Sequence, residues 1–169
     1  MESFASVLRW LDGLVSDGVV EDYAITGAVA ASIWDEATAT QDLDVAIIVP
    51  AGQHSPLDPL RPVLDWLHAH DHVFDGEHVV VSGVPIQILP AWHPLITEAI
   101  RAAVDLPYGE PREGEAPTRM RLLTPTYLVA SWRLPGAQSA RRAERAERLR
   151  TAGLVDETLL AELVARYGL

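Results

Sequence analysis

Two apolar strands joined through a glycine turn and one short helix constrain this chain more than any other feature. Tyr23-Ala24-Ile25-Thr26 reads as a strand, Gly27-Ala28 as the turn that ends it, and Val29 to Trp34 as a short helix. The second strand, Asp42-Leu43-Asp44-Val45-Ala46-Ile47-Ile48-Val49, opens with carboxylates at i and i+2. Alternate residues of a strand face one side, so Asp42 and Asp44 point together with Cα atoms about 6–7 Å apart. That spacing lets two carboxylates share one divalent cation, or bridge a metal pair roughly 4 Å apart. The glycine turn brings backbone N–H groups at the helix start to the same place, which suits a phosphate. Metal beside phosphate points to phosphoryl or nucleotidyl transfer.

Composition narrows the class. The 169 residues fit one domain with a small helical appendage, and 49% of them are apolar, enough for a true core. Net charge is −11, which argues against general binding to nucleic-acid backbones or to an anionic membrane surface. All 13 basic residues are arginine, so Schiff-base chemistry and a phosphate-loop lysine are excluded. Cysteine is absent, which removes disulfides and thiolate metal sites. No apolar run approaches the ~18–20 residues of a membrane span, and Met1-Glu2-Ser3-Phe4 lacks a signal core. The expectation is a cytoplasmic, bacterial-type protein.

Periodicity predicts the remaining elements. Residues 3–16 form an amphipathic helix through Phe4, Val7, Leu8, Leu11, Leu14 and Val15. The strand at 23–26, a helix at 28–36 and the strand at 42–49 hold the candidate site. Helices follow at 59–70 and 93–104, with a hairpin between them (78–82 and 84–89) turning at Ser82-Gly83. Residues 106–117 read as a loop, and 119–123 as a short strand. Thr124-Pro125 is a helix start, and helices to about residue 133, then at 138–152 and 156–167, finish the chain. The pattern predicts an α/β (α+β) domain: a mixed sheet flanked by helices over 1–123, with a C-terminal helical segment, 124–169, packed on it.

Strand, glycine turn, helix and Asp-x-Asp together resemble the nucleotidyltransferase superfamily, the polymerase-beta-like fold. Gly27-Ala28 stands for its Gly-Gly or Gly-Ser, and Asp42-Leu43-Asp44 for its Asp-x-Asp. Thr40, two residues before the first aspartate, fits the small members. The resemblance implies Mg²⁺ (or Mn²⁺) held by Asp42 and Asp44, a nucleoside triphosphate as substrate, and phosphate contacts from Thr26, Gly27, Ala28 and Thr40. It implies transfer of a nucleoside monophosphate to an acceptor hydroxyl on a protein, a small molecule or an RNA end. Two departures stand out. Ala28 has no hydroxyl, and the strand that should carry the third carboxylate, Gly83-Val84-Pro85-Ile86-Gln87-Ile88-Leu89-Pro90, reads Gln87. A neutral amide positions an acceptor but is no base. Val84-Pro85-Ile86-Gln87 is similar to a segment of one subgroup of small nucleotidyltransferase-like proteins. The Arg-x-Lys-Asp cluster of that subgroup's tail is missing from Gly136–Arg141.

The rival reading is a catalytically degenerate module on the same fold, binding a nucleotide or a protein in the manner of an antitoxin. The chain's acidity suits a basic protein partner. Other candidates are weaker. His68, His70 and His72 are spaced for a zinc site only on a strand. Asp75-Gly76-Glu77 offers a replacement carboxylate or a plain hairpin turn. Arg141, Arg142, Arg145, Arg148 and Arg150 read as a solvated helix face or an anion contact, with Arg119 and Arg121 as a further phosphate candidate. The five tryptophans read mostly as core.

Overall fold

The computed structural model describes residues 2–35, 42–52, 57–109 and 117–169. Helix α1 (Glu2–Ser16) buries Val7, Leu8, Leu11 and Leu14 at helical spacing. It is followed by β1 (Asp22–Ile25), α2 (Gly27–Trp34) and β2 (Leu43–Ile48). Next come α3 (Arg61–Ala69), β3 (Val73–Asp75), β4 (His78–Val81), β5 (Val84–Pro90) and α4 (Pro94–Arg101). The order closes with β6 (Val104–Pro107), β7 (Arg119–Leu122), α5 (Pro125–Ser131), α6 (Ala140–Thr151) and α7 (Glu157–Tyr167).

The strands make one mixed sheet in the order β3-β4-β5-β2-β1-β7-β6. β2 is its middle strand, antiparallel to β1 and parallel to β5. A strand with neighbours on both edges and cover on its faces has to be apolar throughout. Leu43, Val45, Ala46, Ile47 and Ile48 are buried accordingly, and Asp44 is the single polar residue among them. The prediction of an α/β mixed sheet flanked by helices holds.

Two strands escaped the periodicity. β3 pairs with β4 across the Asp75-Gly76-Glu77 turn, so that segment is a hairpin. β6 lies where a helix end and a loop were expected, and it pairs antiparallel with β7. Each is three or four residues long, too short for alternation to register. Both lie at sheet edges, where only the partner strand defines them. The Ser82-Gly83 turn is as expected, with φ of +50° and +80° at the two central residues.

Helix ends follow their caps. The His93 ring accepts from Leu95 N–H at 3.1 Å ahead of α4, with Pro94 in the first helical position. Asp156 Oδ1 accepts from Thr158 and Leu159 N–H, both at 3.0 Å, ahead of α7. α5 is buried along its whole length, and Thr126 Oγ1 accepts from Asp156 N–H at 2.9 Å. α5 packs against α2, α4, α6 and α7, while α2 and α4 lie against β2. The C-terminal helices therefore close over the end of β2 that carries Asp44. Among the described residues, no helix is long and apolar enough to cross a membrane.

Candidate active site

The site begins where β1 gives way to α2. Thr26 N–H donates to the Asp44 carbonyl at 2.9 Å, tying the end of β1 to the start of β2. Gly27 follows with φ of +65°, the left-handed region that favours glycine. Its lack of a side chain is also a matter of space. A Cβ there would lie 1.9 Å from Asp44 Oδ2, so the carboxylate rests directly on the Gly27 backbone. The first turn of any helix leaves N–H groups without intrahelical partners. In α2 that turn begins at Gly27 and Ala28, and Ala30 N–H is the first to reach back, to the Thr26 carbonyl at 3.3 Å.

Three side chains line up across the sheet. Asp44 pairs with Gln87 between parallel strands, and Gln87 pairs with His78 between antiparallel ones. Directly paired residues project to the same face, so Asp44, Gln87 and His78 form a row. His78 Nε2 also lies 3.7 Å from Asp42 Oδ2, just ahead of β2. Burial pushes the Asp44 carboxyl above the usual carboxylate range, and the Asp42 charge adds to the rise. Arg142, His78 and Arg145 pull it back, in that order. Arg142 and Arg145 come from α6, so the C-terminal helices bring guanidinium charge to Asp44.

A cavity of about 360 Å³ opens beside Asp44. Thr26, Gly27, Asp44 and Arg142 line one part of it, and Trp92 and Trp132 stand in the apolar remainder. Arg142 Nη1 donates to the Ala137 carbonyl at 2.6 Å, which fixes the guanidinium at the cavity edge.

The residues present fit a hard, oxygen-seeking cation. Burial first and the Asp42 charge second hold the Asp44 carboxyl above its usual range against the pull of Arg142, His78 and Arg145, and a bound cation would relieve both. Asp42 and Asp44 would be its ligands, with phosphate oxygens and water completing the shell. Among the described residues, no three His, Asp or Glu side chains converge as a protein-only metal site.

Of the predicted site residues, Thr26, Gly27 and Asp44 come together on the cavity, Ala28 sits in the adjoining helical turn, and Gln87 stands beside Asp44. Thr40 lies outside the described residues. Several weaker candidates are accounted for otherwise. The His68 and His70 rings bond the carbonyls of Leu64 and Trp66, and His72 Nε2 accepts from Trp10 Nε1–H at 3.2 Å. Those imidazoles stack on Phe74 and Trp66 rather than meeting at a metal. Arg121 is held by Asp22 at 2.9 Å and by the Ile100 carbonyl at 3.1 Å, which makes it a clamp between β7 and β1. Arg148 bonds Asp35 and Arg150 bonds Glu157, so the α6 arginines are not one solvated face. Trp92, expected in the core with the other tryptophans, is 62% exposed.

Sequence reasoning passed over His78, Arg142 as a cavity residue, and the position of Trp92. His78 was within reach. A two-residue turn at 82–83 places 81 opposite 84 and therefore 78 opposite 87 by counting alone.

No family model matches the sequence, and no curated protein is similar to it at the sequence level. Solved structures are similar in shape. An antigenic nucleotidyltransferase-like protein from Paracoccidioides brasiliensis aligns over 98% of this chain and 88% of its own, with a TM-score of 0.55 at 15% identity. The fold is nucleotidyltransferase-like. ANT(2")-Ia, solved in complex with adenylyl-2"-tobramycin, aligns over 96% of this chain and 95% of its own at 13% identity, TM-score 0.48. A solution structure of ANT(2")-Ia covers 99% and 95% at 17% identity, TM-score 0.47.

Proposed function

We propose that the chain transfers a nucleoside monophosphate from a nucleoside triphosphate to an acceptor hydroxyl. One observation carries this reading: the Asp44 carboxylate packed against the Gly27 turn, with a Cβ-excluding 1.9 Å approach. That contact sets a metal-binding carboxylate beside the free N–H groups of a helix start, the two things a triphosphate needs in one place. Asp42 and Asp44 hold Mg²⁺ or Mn²⁺, which when bound neutralises charge on the triphosphate. Gly27 and Ala28 cradle phosphate through backbone N–H groups, with Thr26 at the cap.

The acceptor oxygen bonds to the α-phosphorus, the bond from that phosphorus to the bridging oxygen breaks, and pyrophosphate leaves. The hydroxyl proton passes to water. Phosphoryl centres react through loose transition states in which positioning and charge matter more than a strong base. Gln87, beside Asp44 in the sheet, is suited to position the acceptor hydroxyl, and it needs no charge for that.

The test is thermal melting of wild type and Asp44→Asn with ATP, GTP, CTP and UTP, each with Mg²⁺, Mn²⁺ or EDTA. A ligand at ~100 times its Kd adds about 2.7 kcal/mol, or about 5–10 °C for a chain of this size. A metal-dependent rise that Asp44→Asn loses supports the reading. No rise with any nucleotide refutes it.

Gln87 in the register position beside Asp44 also favours a second reading, a nucleotide-binding or protein-interaction module that turns nothing over. The two part on one assay. Release of pyrophosphate that ends with Asp44→Asn requires an enzyme, whereas metal-dependent nucleotide binding without release, across trial acceptors, is the module.

A further inference from the structure

The cavity beside Asp44 is polar at one end and apolar at the other. Thr26, Gly27, Asp44 and Arg142 make the polar end. At the other, Trp92 stands 62% exposed just past β5, where Ala91 meets Ile47, three residues along β2 from Asp44. The backbone that presents Trp92 is fixed: Ala91 N–H donates to the Ile47 carbonyl and Trp92 N–H to the Pro90 carbonyl, both at 2.9 Å. The indole meets the His93 ring edge-on at 5.4 Å and is otherwise largely in water. A large apolar ring presented to water from a fixed backbone beside a cavity of small-molecule size is a surface for another ring to cover.

From this geometry we infer that Trp92 is the stacking platform for the nucleobase, and that the nucleotide lies along the cavity with its phosphates toward Gly27 and Arg142. The inference rests on the nucleotidyl-transfer reading and adds the orientation of the substrate to it. Ala46, Leu89 and Trp92, which line the cavity, lie along the strands in one direction from Asp44, whereas Asp42 precedes it on β2 and Gln87 and His78 follow it across the sheet. The acceptor hydroxyl comes from that side, since Gln87 is the group that positions it. The side that Gly27 and Arg142 share with the two tryptophans is then left for the nucleotide. The described lining offers no side-chain amide or imidazole, the groups that pair a donor with an acceptor on a base edge. The base is therefore held by its face, and its edge goes largely unread.

Calorimetric titration of wild type, Trp92→Ala and Trp92→Phe with Mg²⁺–ATP and with Mg²⁺–tripolyphosphate tests this, alongside quenching of tryptophan fluorescence. Loss of one base–aromatic stack weakens binding by roughly 5–150-fold. Trp92→Ala should lose that factor for ATP and leave tripolyphosphate unchanged, Trp92→Phe should restore most of it, and ATP should quench wild type more than Trp92→Phe. Unchanged ATP affinity in Trp92→Ala overturns the proposal, as does an equal loss for tripolyphosphate. Wild type that binds ATP no tighter than tripolyphosphate overturns the ring subsite and leaves the nucleotidyl-transfer reading standing. Wild type that binds neither overturns that reading itself.

Discussion

Replacing Gly27 by alanine should unsettle the protein through Asp44, and the size of the effect can be worked from the contact. The residue sits at φ of +65°, where a side chain costs roughly 1–2 kcal/mol. The new Cβ would meet Asp44 Oδ2 at 1.9 Å, Cγ at 2.8 Å and Cβ at 3.0 Å. The carboxylate has to leave its rotamer, for about 0.5–1.5 kcal/mol more, or β2 has to shift. Gly27→Ala should therefore cost about 1.5–3.5 kcal/mol. In an Asp44→Ala background the two closest atoms are gone and only the 3.0 Å contact and the backbone strain remain. There the same change should cost about 1–2 kcal/mol. The assay is urea unfolding of wild type, both single variants and the double variant, in metal-free buffer. A coupling of about 1 kcal/mol is expected. Costs that add within ~0.5 kcal/mol would mean that the two residues do not touch, and the account of the site would fall with them.

Asp44→Asn should be more stable than wild type at neutral pH without metal. The folded-state pKa of Asp44 is raised, so its favourable contribution is complete below the unfolded value of about 3.9 and is lost as pH rises through the folded value. The variant's advantage should open across that window and then stay level, and urea midpoints that place it below wild type at pH 7 would contradict the sign. Asp42→Asn should lower the Asp44 pKa, because it removes the neighbouring charge that raises it; carboxyl-carbon NMR titration reads this directly, and an unmoved midpoint counts against the pair. Glu98 has the opposite sign. Tyr167, Tyr127 and Arg166 hold its carboxyl below the usual range, so its contribution is present above about pH 4.3 and lost as pH falls through the folded value. Glu98→Ala should cost about 1–2 kcal/mol at pH 7, and equal melting of the two proteins there would show that the α4–α7 tie is idle.

The chain's pattern made the strand–turn–helix–strand unit legible because each part has its own signal. Gly27 marks the turn, Ile47 and its neighbours mark a covered strand, and Asp42 and Asp44 break an otherwise apolar run. Gln87 was placed on the neighbouring strand by the family resemblance rather than by periodicity, and β5 does pair it with Asp44. The short edge strands β3 and β6 were not, because three or four residues carry no period. The cavity was the least legible part. Arg142 and Trp92 lie about 50 residues apart in sequence, and only the packing of α5 and α6 against α2 sets them around Asp44. Trp92 in particular is a residue type that usually goes to the core, yet it stands 62% exposed on the cavity.

The place of β1 in the sheet has a consequence for how the chain is made. One edge of β1 pairs with β2 about 20 residues later, but its other edge waits for β7, with Ile25 opposite Leu122. At ~5–20 residues per second, a ribosome leaves that second edge uncovered for roughly 5–20 s. An apolar strand with open backbone groups is then available to any other strand in reach. Arg121, clamped onto Asp22 from β7, finishes the closure. A nascent chain stalled before Arg119 should therefore be more prone to aggregate than one released with β7 and the helices after it complete.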